Sequence, residues 1–223
     1  MIFGAMSEVV PHQVIAGSNS SITGVYFGGV SPDTGEYYVY METFGGGSGA
    51  RFNKDGLSCV QVHMSNTSNL PIESMEVEFP YMVERYELVT DSGGPGKYRG
   101  GLSMSKDIRV LGHDSEFTIK ADRQKVPPYG LFGGKPGLPG LITIYPDTDE
   151  ARTVDSKKSG NLLKANGVLR CQMPGAGGYG NPLERSRELL IKDLEEGYVS
   201  PESAMRDYGM TQEELDSVNI FRG

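Results

Sequence analysis

The spacing of apolar residues changes once, near Pro182, and the two parts predict different structure. From about residue 25 to residue 172, apolar positions come in short runs or alternate with polar ones, the period of a strand. Glu36–Thr43 is dense in strand formers. Leu57–Met64 alternates, with Val60, Val62 and Met64 on one face. Met75, Val77 and Phe79 alternate with Glu76 and Glu78, which predicts a half-buried strand. Val83–Thr90 puts Tyr86 and Leu88 on one face, and Phe117 and Ile119 mark a further strand. Leu141–Tyr145 is nearly continuous and predicts burial on both sides, and Val168–Met173 closes the series. Pro32-Asp33-Thr34-Gly35 and Lys54-Asp55-Gly56 are the turn signals between them.

After Pro182 the period becomes helical. Leu183, Leu190, Ile191 and Leu194 share a stripe over Leu183–Glu196, and Gly197 follows as a C-terminal cap. Ser200 then serves as N-cap with Pro201 in the first helical position. That helix ends near Tyr208-Gly209. Thr211, with Glu214 three residues on, forms a capping box for a last short helix. At the other end, Ile2–Val10 reads as an uncapped apolar helix stopped by Pro11. Such a helix needs a surface to pack on, which suggests that a larger domain is already under way where the chain starts. The expectation is an α+β protein: a β-rich core of many short strands with Gly-rich turns over residues 1–181, then a short C-terminal helical tail over 182–223.

Composition narrows the classes. The 223 residues suffice for a core without disulfide or metal staples. Gly contributes 31 of them, twice the usual share of roughly 7%, in clusters with no collagen-like period. The balance of 21 Lys and Arg against 29 Asp and Glu gives a net charge of −8. With no basic block, nucleic acid is excluded as a partner. No apolar run approaches the ~18 residues that span a bilayer, and Met1–Val14 lacks the basic start of a secretory signal. Two distant cysteines, Cys59 and Cys171, fit a reducing compartment, so a cytoplasmic location is expected.

Four Gly-rich clusters could carry chemistry: Phe44–Arg51, Asp91–Gly101, Pro127–Gly137 and Pro174–Pro182. Backbone N–H groups of Gly47, Gly49, Gly93, Gly94, Gly96, Gly133, Gly134, Gly177 and Gly178 could form nests for an anion or an amide-bearing ligand. Arg51, Arg99 and Arg123 lie in or near three clusters and could grip an oxyanion. Asp91 at a strand end could orient Arg99 or polarise a ligand amide, or could cap an Asx turn. Ser92 beside it is a near miss to a nucleophile motif, with no histidine adjacent. The weightier reading of spacing alone is structural: close backbone crossings, with the arginines in ion pairs. No cluster has the ending of a phosphate-binding loop or the setting of a dinucleotide fingerprint. No metal site is assigned. Cys59, Gln61 and His63 would share a strand face, but the outer two would stand ~13 Å apart, too far for one zinc ion.

Taken in order, these segments resemble one family. Gly45-Gly46-Gly47-Ser48-Gly49-Ala50-Arg51 precedes Asp55-Gly56, then Asn66–Glu73, Glu76 and Pro80. Tyr86-Glu87-Leu88 leads into Asp91–Gly101; Arg123 precedes Pro128–Gly134; Pro174–Arg185 opens a tail that bears Gly197–Ser200 and Tyr208-Gly209. The order and density resemble the hydantoinase B / 5-oxoprolinase family, also found in acetone and acetophenone carboxylase subunits. The likeness covers nearly the whole chain, as the C-terminal part of longer family members. It implies a subunit of an ATP-dependent cyclic-amide hydrolase, inactive alone. ATP and a divalent metal would sit on partner subunits: an N-terminal-half hydantoinase B polypeptide and a hydantoinase A-type ATPase, in a hetero-oligomer. The alternatives are a subunit of an ATP-dependent ketone carboxylase and a non-catalytic assembly half. Arg51, Asp91, Ser92, Arg99 and Arg123 are the pocket or interface candidates, and the resemblance assigns no catalytic nucleophile or base.

Overall fold

The computed structural model describes residues 2–61, 65 and 67–218. Two antiparallel sheets face each other across one core. In chain order their strands are β1 (Thr23–Val30), β2 (Tyr37–Phe44), β3 (Tyr81–Leu88), β4 (Met104–Val110), β5 (Ser115–Lys120), β6 (Leu141–Ile144), β7 (Arg152–Thr153), β8 (Lys157–Leu163) and β9 (Val168–Gln172). The first sheet runs β2-β1-β5-β8 and the second β3-β4-β9-β6-β7. Inward residues of the two sheets meet between them, as Val25, Phe27 and Phe117 do with Tyr81, Ile108 and Leu169. The Phe27 ring centre lies 5.0 Å from that of Tyr81. Burying such a side chain contributes about 1.5–3 kcal/mol.

Several apolar patterns resolve as expected. The β1–β2 hairpin keeps unbroken register from Thr23↔Phe44 to Val30↔Tyr37. Its turn is held by Ser31 Oγ, which accepts from Asp33 N and Thr34 N, and Gly35 takes φ 72°. In the tail, α3 (Arg187–Glu195), α4 (Pro201–Tyr208) and α5 (Gln212–Asp216) carry the expected caps. Gly197 and Gly209 adopt positive φ, and Ser200 Oγ accepts from Ser203 N at 3.1 Å. Thr211 and Glu214 complete the capping box. Leu190, Leu194, Ala204, Tyr208 and Leu215 form a second small core.

Other expectations are overturned. Ile72–Glu78 is a helix, α2, rather than a strand. Ile72, Met75 and Phe79 are also spaced as a helical stripe; Met75 is fully buried while Val77 is 90% exposed. Leu57–Gln61 forms one bridge, Val60 to Gly46, because Cys59 turns the chain with φ 57°. The rest of that expected strand, Val62–Met64, lies outside the described residues, as does His63. In β6, Ile142 and Ile144 face the core while Leu141 is exposed, so only one side is buried. Leu183 is also exposed, in a 3-10 turn at Pro182–Glu184 that precedes α3. At the N-terminus α1 covers only Ile2–Met6, and Ile2, Phe3 and Met6 are solvent-exposed.

The glycine clusters meet at one end of the sandwich and build a bundle of extended backbones. Pro174–Gly180 is its axis. Gly177 N donates to Gly17 O (2.7 Å), Ala50 N to Gly177 O (3.0 Å), Gly94 N to Ala176 O (2.7 Å) and Gly178 N to Lys135 O (3.0 Å). One segment thus bonds to four others. A pleated strand offers two opposite edges only, whereas a polyproline II-like chain, with three residues per turn, points its peptide groups around the axis. The packing needs glycine: a Cβ on Gly100 would overlap the Ala176 carbonyl oxygen, and one on Gly177 the Tyr129 carbonyl oxygen.

Gly100→Ala is therefore expected to cost more than about 4 kcal/mol or to abolish folding. Gly35→Ala, with positive φ but open space around it, should cost about 1–2 kcal/mol. Urea unfolding of the two variants compares them. An equal or milder loss for Gly100→Ala would refute the close-packed bundle.

Candidate functional site

The bundle sets what the Gly-rich loops can do. Most of their N–H groups are already spent on neighbouring backbone. Gly47 N donates to Pro174 O, Gly134 N to Leu131 O, and Gly94, Gly177 and Gly178 as above. Gly49 N donates to Ser18 Oγ at 2.9 Å. Gly93 and Gly96 lack Cβ atoms because the Gly100 and Tyr98 carbonyls stand there, and Gly133 takes φ 91° at a turn. The loops are a scaffold whose amides face inward.

Arg99 lies inside this scaffold, 4% exposed. Its Nε donates to Asp193 Oδ2 (3.2 Å), its Nη1 to Gly100 O (2.8 Å), and its guanidinium lies 5.3 Å from the Tyr198 ring centre. Arg185, also buried, donates to both oxygens of Asp55 at 2.8 Å and to Asp193 Oδ2 at 2.7 Å. The Arg99 backbone N–H completes the set on Asp55 Oδ1 at 2.7 Å. Burial alone would raise the Asp55 carboxyl, but the bonds and charge of Arg185, and then of Arg99, outweigh it and hold its pKa below the ordinary value. Two arginines and two aspartates thus lock α3 and the 3-10 turn before it onto the bundle. Arg99 is in a structural ion pair, with its guanidinium turned away from solvent. Asp55, Arg185 and Asp193 were not singled out from the sequence; Asp55-Gly56 and Arg185 were visible only as parts of the family pattern.

Asp91 and Ser92 are likewise committed to the fold. Asp91 has φ 61°, and its Oδ1 accepts from Ser200 N at 2.9 Å, so it ties the start of α4 to the bundle instead of orienting Arg99. Ser92 is fully buried; its Oγ donates to Val89 O (2.5 Å) and accepts from Ser103 N (2.8 Å), with no base beside it. Asp91 and Gly93 do border a cleft of about 210 Å³ between bundle and tail, lined also by Lys135, Arg206, Asp207 and Tyr208. Lys135 Nζ and Arg206 Nη2 each lie 2.7 Å from the Asp207 carboxylate. Burial raises Asp207, and those two cations more than reverse it.

The remaining two arginines are separate. Arg51 is half-buried in a turn closed by its own N–H to Lys54 O, and its guanidinium has no side-chain partner among the described residues. Arg123 has φ 60°; its Nε donates to Ser20 Oγ at 2.6 Å, and it lies 5.9 Å from the Tyr129 ring centre. The thiols offer no ready nucleophile, because burial raises the pKa of both Cys59 and Cys171. Among the described residues no group of three or more His, Cys, Asp or Glu could hold a metal ion, and no helix is long and apolar enough to cross a membrane.

Asp193→Ala leaves two buried guanidinium groups short of their counter-charge, and should destabilise the chain by about 3–5 kcal/mol in urea at neutral pH. A loss under about 1 kcal/mol would contradict the buried network. The depressed carboxyl of Asp55 contributes stability that is complete above its unfolded value of about 4 and lost as pH falls through the lower folded value. Acid unfolding should therefore begin below about pH 4, and Asp55→Asn should flatten that part of the stability-against-pH curve.

Known proteins share this framework. The family model for hydantoinase B/oxoprolinase matches residues 1–182. A protein of Pseudomonas sp. (strain NS671), provisionally named as the B component of a D-/L-hydantoinase, is 37% identical over 95% of this chain and 36% of its own length. The caprolactamase beta chain of Pseudomonas jessenii is 32% identical over 92% of this chain and 37% of its own. The crystal structure of the ATP-dependent caprolactamase from that organism superposes with a TM-score of 0.79 at 22% identity, over 96% of this chain and 38% of that one. Nucleotide-free acetone carboxylase superposes with a TM-score of 0.77 at 21% identity, over 92% of this chain and 32% of that one. The chain spans about a third of the length of these curated relatives. With the family model covering most of its residues, the chain belongs to the hydantoinase B/oxoprolinase family.

Proposed function

We propose that the chain forms the C-terminal portion of a subunit of an ATP-dependent cyclic-amide hydrolase. The observation that carries the reading is sequence identity across nearly the whole chain to proteins named for ring amides, at 37% for a hydantoinase B component and 32% for a caprolactamase beta chain. Acetone carboxylase is similar at 21%, a likeness of fold, so the ketone carboxylase reading ranks second.

The site chemistry fits a divided enzyme. Ser92, Asp91 and Arg99 are bound into the scaffold, and neither cysteine is poised as a thiolate. The described residues supply no metal-ligand cluster, so no step is assigned to a metal on this chain. In this proposal a hydantoinase A-type partner transfers the γ-phosphoryl group of ATP to the ring amide oxygen; water adds to that carbon, the C–N bond breaks as the nitrogen takes a proton, and a second water releases phosphate from the resulting acyl phosphate. This chain, with the N-terminal half of hydantoinase B, would shape the pocket in which water opens the ring. Oxyanions on that path need N–H or guanidinium donors. Arg51 and Arg123 are the two arginine candidates from the sequence that remain partly exposed.

Native mass spectrometry of the complex purified through this chain is expected to show both partner polypeptides. With ATP, that complex should open hydantoin, 5-oxoproline or caprolactam with matching ADP release. ATP-dependent incorporation of bicarbonate into acetone would overturn the hydrolase reading in favour of the carboxylase. Assembly with neither activity would leave the scaffold reading.

A further inference from the structure

The outer face of the first sheet is apolar and exposed on its β2–β1 side. On β2 the residues facing away from the core are Tyr37, Val39 and Met41, and on β1 they include Tyr26 and Val30. Their exposure runs from 38% for Tyr26 to 72% for Tyr37. The register sets them side by side: Tyr26 is opposite Met41, Val30 opposite Tyr37, and Val39 opposite Gly28 between them. The outer face of the second sheet is the ordinary case, where Arg85, Asp107, Arg109 and Arg170 stand in ion pairs. Contiguous exposed apolar patches mark interaction sites. Glycines keep this one flat. A Cβ on Gly24 would come within 3.2 Å of the Tyr26 ring, and one on Gly28 within 2.7 Å of the Tyr37 hydroxyl, so both tyrosines lie along the sheet.

The pattern of this face is its own complement. Every second residue from Ile22 to Val30 reads Ile, Gly, Tyr, Gly, Val, which is alike in either direction about Tyr26. Ile22, just ahead of β1, is exposed too. On the neighbouring β5, Lys120 lies opposite Gly24, Thr118 opposite Tyr26 and Glu116 opposite Gly28. Lys120 and Glu116 are exposed, and neither is in an ion pair with a described residue. Met41, Tyr26 and Thr118 thus form one row across the sheet, with a positive charge on one side of it and a negative charge on the other. A two-fold axis along that row turns one copy of the face onto another with their strands nearly aligned, as packed sheets prefer. It sets Ile22 against Val30, Gly24 against Gly28, and Lys120 of each copy against Glu116 of the other.

We propose that this face binds a second copy of the same chain, in a two-fold dimer centred on Met41 and Tyr26. The contact is of limited size. From Ile22 to Val30 the face is about 26 Å long at ~3.3 Å per residue, and three strand spacings of ~4.8 Å make it about 14 Å wide. That footprint, on the order of 400 Å², is about half of the roughly 800 Å² per partner of a standard interface. The charge of −8 on each chain opposes the contact further. The dimer is therefore weak, with a Kd on the order of 10–100 μM. An assembly built through this face holds the chain in pairs.

Sedimentation equilibrium of the full chain, taken to about 0.5 mM and so well above that Kd, should show the mass of one chain rising toward that of two. Met41→Lys places like charges together on the axis and should leave a monomer with an unchanged circular dichroism spectrum. Lys120→Glu and Glu116→Lys should each weaken association about tenfold, because each sets like charges face to face at two places. Mixing those two variants should restore it, since each charge then meets its opposite. A chain that stays monomeric at every concentration would overturn the dimer. So would a dimer that survives Met41→Lys, or charge variants that fail to recover on mixing. A different polypeptide that co-purifies with the native chain and is lost with Met41→Lys, while the chain alone stays monomeric, would give the face to that partner and overturn the second copy.

Discussion

The close approach of backbones around Pro174–Gly180 is the constraint on which the rest of the molecule depends. Both sheets discharge strands into it: β2 runs into Gly45, β9 into Pro174, and β4 starts just beyond Gly101. Their register at that end is set by peptide groups bonding around an axis, at separations that only residues without a Cβ permit. The hydrophobic core holds the sheets together, as in any sandwich. The bundle decides how the loops leave it, and therefore which side chains can gather at its rim.

Electrostatics follow from that geometry. Charged groups tie the tail to this bundle of backbones. Asp55, Arg185, Asp193 and Arg99 form a buried, mutually compensated set, and Asp91 caps α4 from the bundle side. A comparable device crosses the core between the sheets. Lys106 of β4 and Glu42 of β2, each 1% exposed, meet at 2.8 Å, and Tyr40 and Asn69 also donate to the carboxylate. Buried pairs of this kind add little net stability, but removing one partner is expensive, so they fix which elements meet.

That allocation bears on function. The charged residues that looked most like catalytic groups in the sequence are consumed in positioning. Among the groups left unpaired in the interior are the neutral amides of Asn19, Gln61 and Gln124. Arg51 and Arg123, the latter held at positive φ, both stay half-buried beside the bundle.

Local features follow from the order of residues alone. Hairpin turns, helix caps and the switch from β to helical period are set by neighbours a few residues apart, and Gly35, Ser200, Gly209 and the Thr211–Glu214 box could be read from them directly. The order of the glycine clusters also placed the chain in its family. Features that depend on distant partners were settled only by packing. Met75 and Phe79 suit either a strand or a helix by spacing, and burial of Met75 alone selected the helix. Arg99 could have faced a ligand or a carboxylate, and Asp193, 94 residues away, claimed it. Asn19, in a plain run of small polar residues, gave no signal at all. Its buried amide is packed against Gly46, a neighbour that lies 27 residues on in sequence.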